Sequence, residues 1–348
     1  MDSKSRNVFY RLGAWALLAL CGVVTLSARS QEVERPRITG ISHVGFFVSD
    51  LAKAIAFWHD FLGYDEMYTL PKKDSNDVRI AFIKINDLQH IELFNEEPAM
   101  PHNMLSHLCF TVDDIEKVRA FLRSKGYDVK PGNGSKTKVG DYAFEIKDPN
   151  GLLIEFVQRL PAGKEMQAAG KFMPETRISP RIYHVGYMVA DAEKTENFYK
   201  MLGFTETWRG GANPKELSWI NMKVPDGEDY VELMLYHSLP DESKWGTKNH
   251  LSLVVPDIQK AVAELESRPY YKTYETYETY GKPLTINTGV NGKRQVNLYD
   301  PDGTRVELME PNTVTGKPAP SSTAPAPPAS TMLPFKAPAN SNAPSGPR

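Results

Sequence analysis

The chain has 348 residues, enough for two ordinary domains. Its formal charge of −2 carries no basic field, which argues against a nucleic-acid partner. An apolar share of 41% is ordinary for a globular protein, so most of the chain can build a core.

In chain order, Lys4, Arg6 and Arg11 precede an apolar stretch from Leu12 to Leu26, and Ala28-Arg29-Ser30 then offers small residues at the spacing of a cleavage site. Residues 1–30 read as a secretory signal peptide cut before Gln31. The stretch is short for a full bilayer crossing, and Cys21 follows Leu20 rather than a small residue, unlike a lipoprotein signal. The expected location is periplasmic or secreted. Removing the signal leaves Cys109 as the one cysteine, so no intrachain disulfide can form and the core must stabilise itself.

From residue 38 onward one pattern repeats four times. Each unit opens on a histidine-bearing strand: Ser42-His43-Val44, Ser106-His107-Leu108, Tyr183-His184-Val185 and Asn249-His250-Leu251. Each closes on a glutamate flanked by apolar residues: Ile91-Glu92-Leu93, Ile154-Glu155-Phe156, Val231-Glu232-Leu233 and Val306-Glu307-Leu308. Between them the order reads strand, helix, strand, strand, strand. In the first unit strands are expected near 38–48, 64–70, 79–86 and 89–94. Asp50, Asp113 or Asp114, Asp191 and Asp257 stand where each helix needs an N-cap. Gly63 and Gly203 suit left-handed C-terminal caps. Asp148-Pro149-Asn150-Gly151 and Asp300-Pro301-Asp302-Gly303 predict turns before the last strands of units two and four. The fold class is α+β, with four βαβββ modules paired into two domains, 38–160 and 181–311. Pro161, Gly163, Gly170 and Pro174 mark 161–180 as a linker. The tyrosine-rich stretch from Tyr270 to Tyr280 reads as a local loop or edge-strand expansion, with an aromatic lid as the alternative. Residues 312–348, rich in Pro, Ala and Ser, read as a disordered tail or a cell-envelope spacer.

Two imidazoles and two carboxylates suffice for a divalent metal: Zn, Ni, Co, Mn or Fe(II). The candidate ligands are His43, Glu92, His107, Glu155, His184, Glu232, His250 and Glu307. A carboxylate facing an apolar cup is costly unless paired or metal-bound. The bland alternative points these glutamates at solvent and leaves the histidines as hydrogen-bonded core residues. His90 is a further candidate for substrate contact or proton transfer, or an exposed strand residue.

These motifs resemble the vicinal oxygen chelate superfamily, which includes glyoxalase I, methylmalonyl-CoA epimerase, extradiol dioxygenases and fosfomycin and bleomycin resistance proteins. The Asp-Pro-x-Gly turn leading into the apolar-Glu-apolar strand is the most specific shared piece. The resemblance implies sheets curled into cups around a metal, with ligands from the first and last strands of each unit; which units share a metal is left open. It also implies a metal-dependent lyase or isomerase of the glyoxalase I type, working through a metal-stabilised enediolate on a small-molecule substrate, with Glu155 and Glu307 as bases and Glu92 or Glu232 opposite. An Fe(II) extradiol dioxygenase using His184, His250 and Glu307 is the alternative. Against it stand the extra carboxylate of Glu232, and Gln295 and Asn297 where that family has a histidine. A third reading is a non-catalytic antibiotic-binding protein with Trp208, Trp219 and Trp245 lining its pocket.

Overall fold

The computed structural model describes residues 33–98, 100–134, 136–274 and 284–335. The expected signal peptide and the last part of the tail lie outside them. The first unit contains β1 (Ile38–Phe47), α1 (Leu51–Ala56, prolonged by a wider π-type turn at Phe57–Phe61), β2 (Glu66–Pro71), β3 (Val78–Lys84) and β4 (His90–Phe94). The second contains β5 (Leu105–Val112), α2 (Ile115–Ser124), β6 (Tyr142–Lys147) and β7 (Leu153–Gln158). A short helix α3 (Lys164–Gln167) lies in the linker. The third unit has β8 (Ile182–Met188), α4 (Ala192–Met201), β9 (Thr205–Gly210), β10 (Trp219–Lys223) and β11 (Tyr230–Met234). After α5 (Trp245–Lys248), the fourth has β12 (His250–Val254), α6 (Ile258–Ser267), β13 (Asn287–Thr288), β14 (Lys293–Tyr299) and β15 (Arg305–Thr313).

Units one and two form one sheet in the order β2-β3-β4-β1-β5-β7-β6, and units three and four form a second, β13-β14-β15-β12-β8-β11-β10-β9. Within a unit the opening and closing strands are parallel neighbours, as in β1 with β4 and β12 with β15. Across units the two opening strands pair antiparallel, β1 with β5 and β8 with β12. The four histidine and glutamate strands of a domain are therefore the centre of its sheet. Sequence-adjacent units close on each other, which answers the question of pairing.

Local chemistry explains the boundaries. Asp50, Asp114, Asp191 and Asp257 each accept a hydrogen bond from a backbone N–H of the following first turn, while Asp113 pairs with Arg37 instead. Gly63 and Gly203 terminate their helices at φ +81 and +90, a conformation that side chains resist. The second unit departs from expectation. Among the described residues it has two strands after its helix, not three, with one isolated bridge from Lys136 to Tyr142. Pro131, Gly132 and Gly134 stand where the missing strand would run, and such residues disfavour a ladder.

The domains share one continuous hydrophobic core and interlock through polar groups. Tyr187 donates to Asp148 at 2.7 Å, and Asn150 accepts from Ala190 N at 2.7 Å. Tyr270, Tyr271 and Tyr274 pack on Phe61 of unit one, with ring centroids 5.3, 6.4 and 4.7 Å away. This part of the tyrosine-rich stretch is a domain-packing element, not a lid; residues 275–283 lie outside the described chain. The tail also corrects its expectation. It is laid down as far as Phe335: Ser322 N bonds Arg209 O, Leu217 N bonds Pro325 O, Ser330 N bonds Ala190 O and Asn103 Nδ2 bonds Pro334 O. Phe335 is buried against Tyr187. Proline-rich backbone needs no internal hydrogen bonds and loses little freedom on docking, so one aromatic anchor and a few backbone bonds suffice.

Candidate metal centres

In the first domain the strand registers bring His43, Glu92, His107 and Glu155 to one point. His43 pairs with His90, Gly45 with both Glu92 and His107, and Cys109 with Glu155. The Nε2 atoms of His43 and His107 lie 3.0 Å apart. Glu155 Oε2 is 2.9 Å from His43 Nε2 and 3.5 Å from His107 Nε2. Glu92 is 3.7 and 3.6 Å from the same two nitrogens. The carboxylates face inward, with side chains only 13% and 16% exposed, so the solvated-face alternative fails. Gly45 makes the approach possible: a Cβ there would lie 2.4 Å from the His107 ring and 2.9 Å from Phe94.

Electrostatics follow from this crowding. Burial opposes a charged His43, but Glu92 and Glu155 outweigh it and raise its pKa to about 9. Burial raises Glu92 to about 7. Burial and the neighbouring His43 lower His107 to about 4. Glu155 stays below its usual value because the bond from His43 overcomes burial. Both carboxylates thus favour a proton on His43, with Glu155 the nearer of the two. The donor set fits a divalent cation: two nitrogens already face two carboxylates, and each Nδ1 lies 3.3 Å from a serine hydroxyl, Ser42 or Ser106, able to accept its proton.

The second domain repeats the convergence. His184 and His250 place their Nε2 atoms 3.0 Å apart. Glu307 lies 3.6 Å from His184 and Glu232 lies 3.5 Å from His250. Gly186 leaves room for the His250 ring. Burial and Glu307 raise Glu232 to about 8; Glu307 is raised by burial against the pull of Arg305. A cavity of about 220 Å³ opens over Glu232, Glu307 and Arg305, with Trp208 and Trp219 on its walls. Trp245 is buried elsewhere, against Met100 and Met188.

His90 is buried, not exposed. Its ring stacks on His43 at 4.4 Å, and Nε2 lies 3.6 Å from Glu92. Tyr230 holds the same place over His184, at 4.5 Å. Sequence reasoning missed several neighbours. Glu165, from the linker helix α3, is buried 3.7 Å from His90 and pairs with Arg159 at 2.5 Å. Arg159 also donates to Ser42, behind His43. Cys109 lies two residues beyond His107 and groups with His43 and Glu155. Period-two alternation places Cys109 on the His107 face, but nothing in the sequence ties the linker to this centre.

The profile of the Glyoxalase/Bleomycin resistance protein/Dioxygenase superfamily matches residues 40–156 and 181–308, most of both domains. The chain belongs to this superfamily. Among superfamily relatives, it is similar to the lactoylglutathione lyase of Schizosaccharomyces pombe, 35% identical over 228 residues that cover 60% of this chain and 68% of the relative. It also resembles a glyoxalase I of Saccharomyces cerevisiae, at 24% over 62% of this chain and 65% of the relative. Similarity to a 2,2',3-trihydroxybiphenyl dioxygenase of Sphingomonas paucimobilis is 31%, over 34% of this chain and 40% of that one. In fold it matches homoprotocatechuate 2,3-dioxygenase from Brevibacterium fuscum, with a TM-score of 0.58 at 16% identity, covering 84% of this chain and 77% of the other. At that identity the likeness shows the two-domain α+β superfamily fold alone.

Proposed function

We propose that this superfamily member is a divalent-metal-dependent lyase or isomerase acting on a small α-hydroxycarbonyl compound, with its working centre in the first domain. The observation that carries this is the convergence of His43, Glu92, His107 and Glu155 on one point, with both carboxylates partly exposed. A divalent cation held by these four would polarise a substrate oxygen and acidify the adjacent C–H. The chain's own residues then handle the proton. An isomerisation removes it from one carbon and returns it to the next, and two carboxylates flanking one point can do both. Glu155 is the base proposed from its place on the closing strand. Glu92, opposite, has its proton affinity near neutrality, the poise that acid–base exchange requires. His90 stacks on His43 and fixes that ring. The 35% identical lactoylglutathione lyase supports this class of chemistry over oxygen activation.

The test is metal analysis of the purified chain with parallel assays. Zn, Ni, Co or Mn with proton exchange at the α-carbon and no oxygen uptake supports the proposal. Fe(II) with oxygen uptake on catechols would replace it by the dioxygenase reading. Stoichiometric antibiotic binding without product would replace it by a sequestering role. Export belongs to the same proposal, on the strength of residues 1–30, and N-terminal sequencing of the mature chain tests it.

A further inference from the structure

The two centres have the same donor atoms but different surroundings. On the closing strand, Leu153 is the register partner of His107, whereas Arg305 is the register partner of His250. Arg305 turns its Nη2 onto His250 Nδ1 and also reaches Lys248 O at 3.4 Å; its Nε is buried without a hydrogen-bond partner. It shares a strand face with Glu307, two residues on, and lines the cavity that holds Glu232 and Glu307. A guanidinium is charged at any accessible pH. It therefore places a fixed positive charge in the cavity that Glu232 and Glu307 line.

The histidines differ as well. A metal-bound imidazole normally gives its remaining N–H to an oxygen acceptor. His43 and His107 each have the preceding serine hydroxyl in that place. In the second domain the preceding residues are Tyr183 and Asn249. His184 Nδ1 is buried with no hydrogen-bond partner. His250 Nδ1 lies 3.1 Å from Lys248 O, but Arg305 competes for it. While Arg305 donates there, the proton of a neutral His250 sits on Nε2, the atom a cation would need.

We infer that the second centre takes no divalent metal at concentrations that fill the first, because Arg305 occupies the electrostatic role of the ion. The inference rests on the first-domain reading only for the expected count of one ion. A fixed unit charge in contact with a ligand imidazole repels a divalent ion, and at an effective dielectric near 20 this weakens its binding by about a hundredfold or more.

The full chain is dialysed against Zn2+ or Mn2+ and its bound metal counted, with Co2+ absorption as a second readout of coordination. The wild type should hold one equivalent, Arg305→Leu two, and Leu153→Arg none. Arg305→Met serves if Arg305→Leu does not fold, and His184→Gln should retain the wild-type count. Two equivalents in the wild type, loss of its metal in His184→Gln, or a folded Arg305 variant that gains none would overturn the inference. If the wild type binds none, the gain in Arg305→Leu still decides. Retention of metal in Glu155→Gln, by contrast, strikes only at the first-domain reading.

Discussion

Gly45→Ala is a one-carbon perturbation aimed at the first centre. The new methyl would lie 2.4 and 2.5 Å from His107 Cε1 and Nδ1, and 2.9 Å from the Phe94 ring. Ordinary carbon contacts need about 3.5 Å, so about 1 Å must be found. The His107 ring has little slack, with His43 3.0 Å from its Nε2 and Phe94 packed at 5.8 Å. Overpacking of this kind costs about 1–3 kcal/mol. Ligand positions tolerate only about 0.2 Å, so the larger loss is in metal binding. A metal at a hundred times its Kd stabilises a protein by about 2.7 kcal/mol. The assay is thermal unfolding with and without Zn2+, paired with chelator competition. The wild type should gain several degrees from metal, and Gly45→Ala should lose most of that gain and bind at least tenfold more weakly. A folded Gly45→Ala protein with wild-type affinity would refute the proposed packing of His107 against β1.

Metal uptake should release protons. His43 is raised to about 9 by carboxylates that outweigh burial, and Glu92 to about 7 by burial. The metal-free form holds these protons below those values and loses them above. Apparent affinity should therefore climb as pH rises through 7 toward 9, and a flat profile by chelator competition would contradict a proton on His43. Arg159 and Glu165 form a buried pair with side chains 8% and 6% exposed. Glu165→Leu should cost about 3 kcal/mol in urea unfolding by removing the counter-charge of a buried guanidinium, and adding Arg159→Met should recover part of it. Phe335→Ala should cost about 3 kcal/mol and expose 322–335 to limited proteolysis, while an unchanged cleavage pattern would mean that the tail is not anchored there.

Much of the architecture was legible because it is written in local chemistry. The histidine strands, the capping aspartates and the Asp-Pro-x-Gly turns each act within a few residues, and their repetition identified the units. That eight histidines and glutamates gather into two clusters was readable for the same reason, since each marks the same place in its unit. Neither Glu165 nor Arg305 was singled out. Glu165 enters the first centre from a linker helix, and Arg305 matters only because parallel pairing sets it beside His250, itself far away in sequence. For residues 312–335 composition was a poor guide, because it reports what a segment can bury in total. One buried ring, Phe335, and a few hydrogen bonds in both directions are enough to seat it.

In every unit the opening and closing strands run side by side in one direction. The separation of imidazole and carboxylate is therefore set by ladder register, independent of how many residues lie between them. Connections can lengthen without moving the two side chains apart, and in the fourth unit the tyrosine-rich stretch of the sequence falls between His250 and Glu307. Such a scaffold lets the rim of the cup drift toward new molecules while the chemistry at its floor keeps the same dimensions.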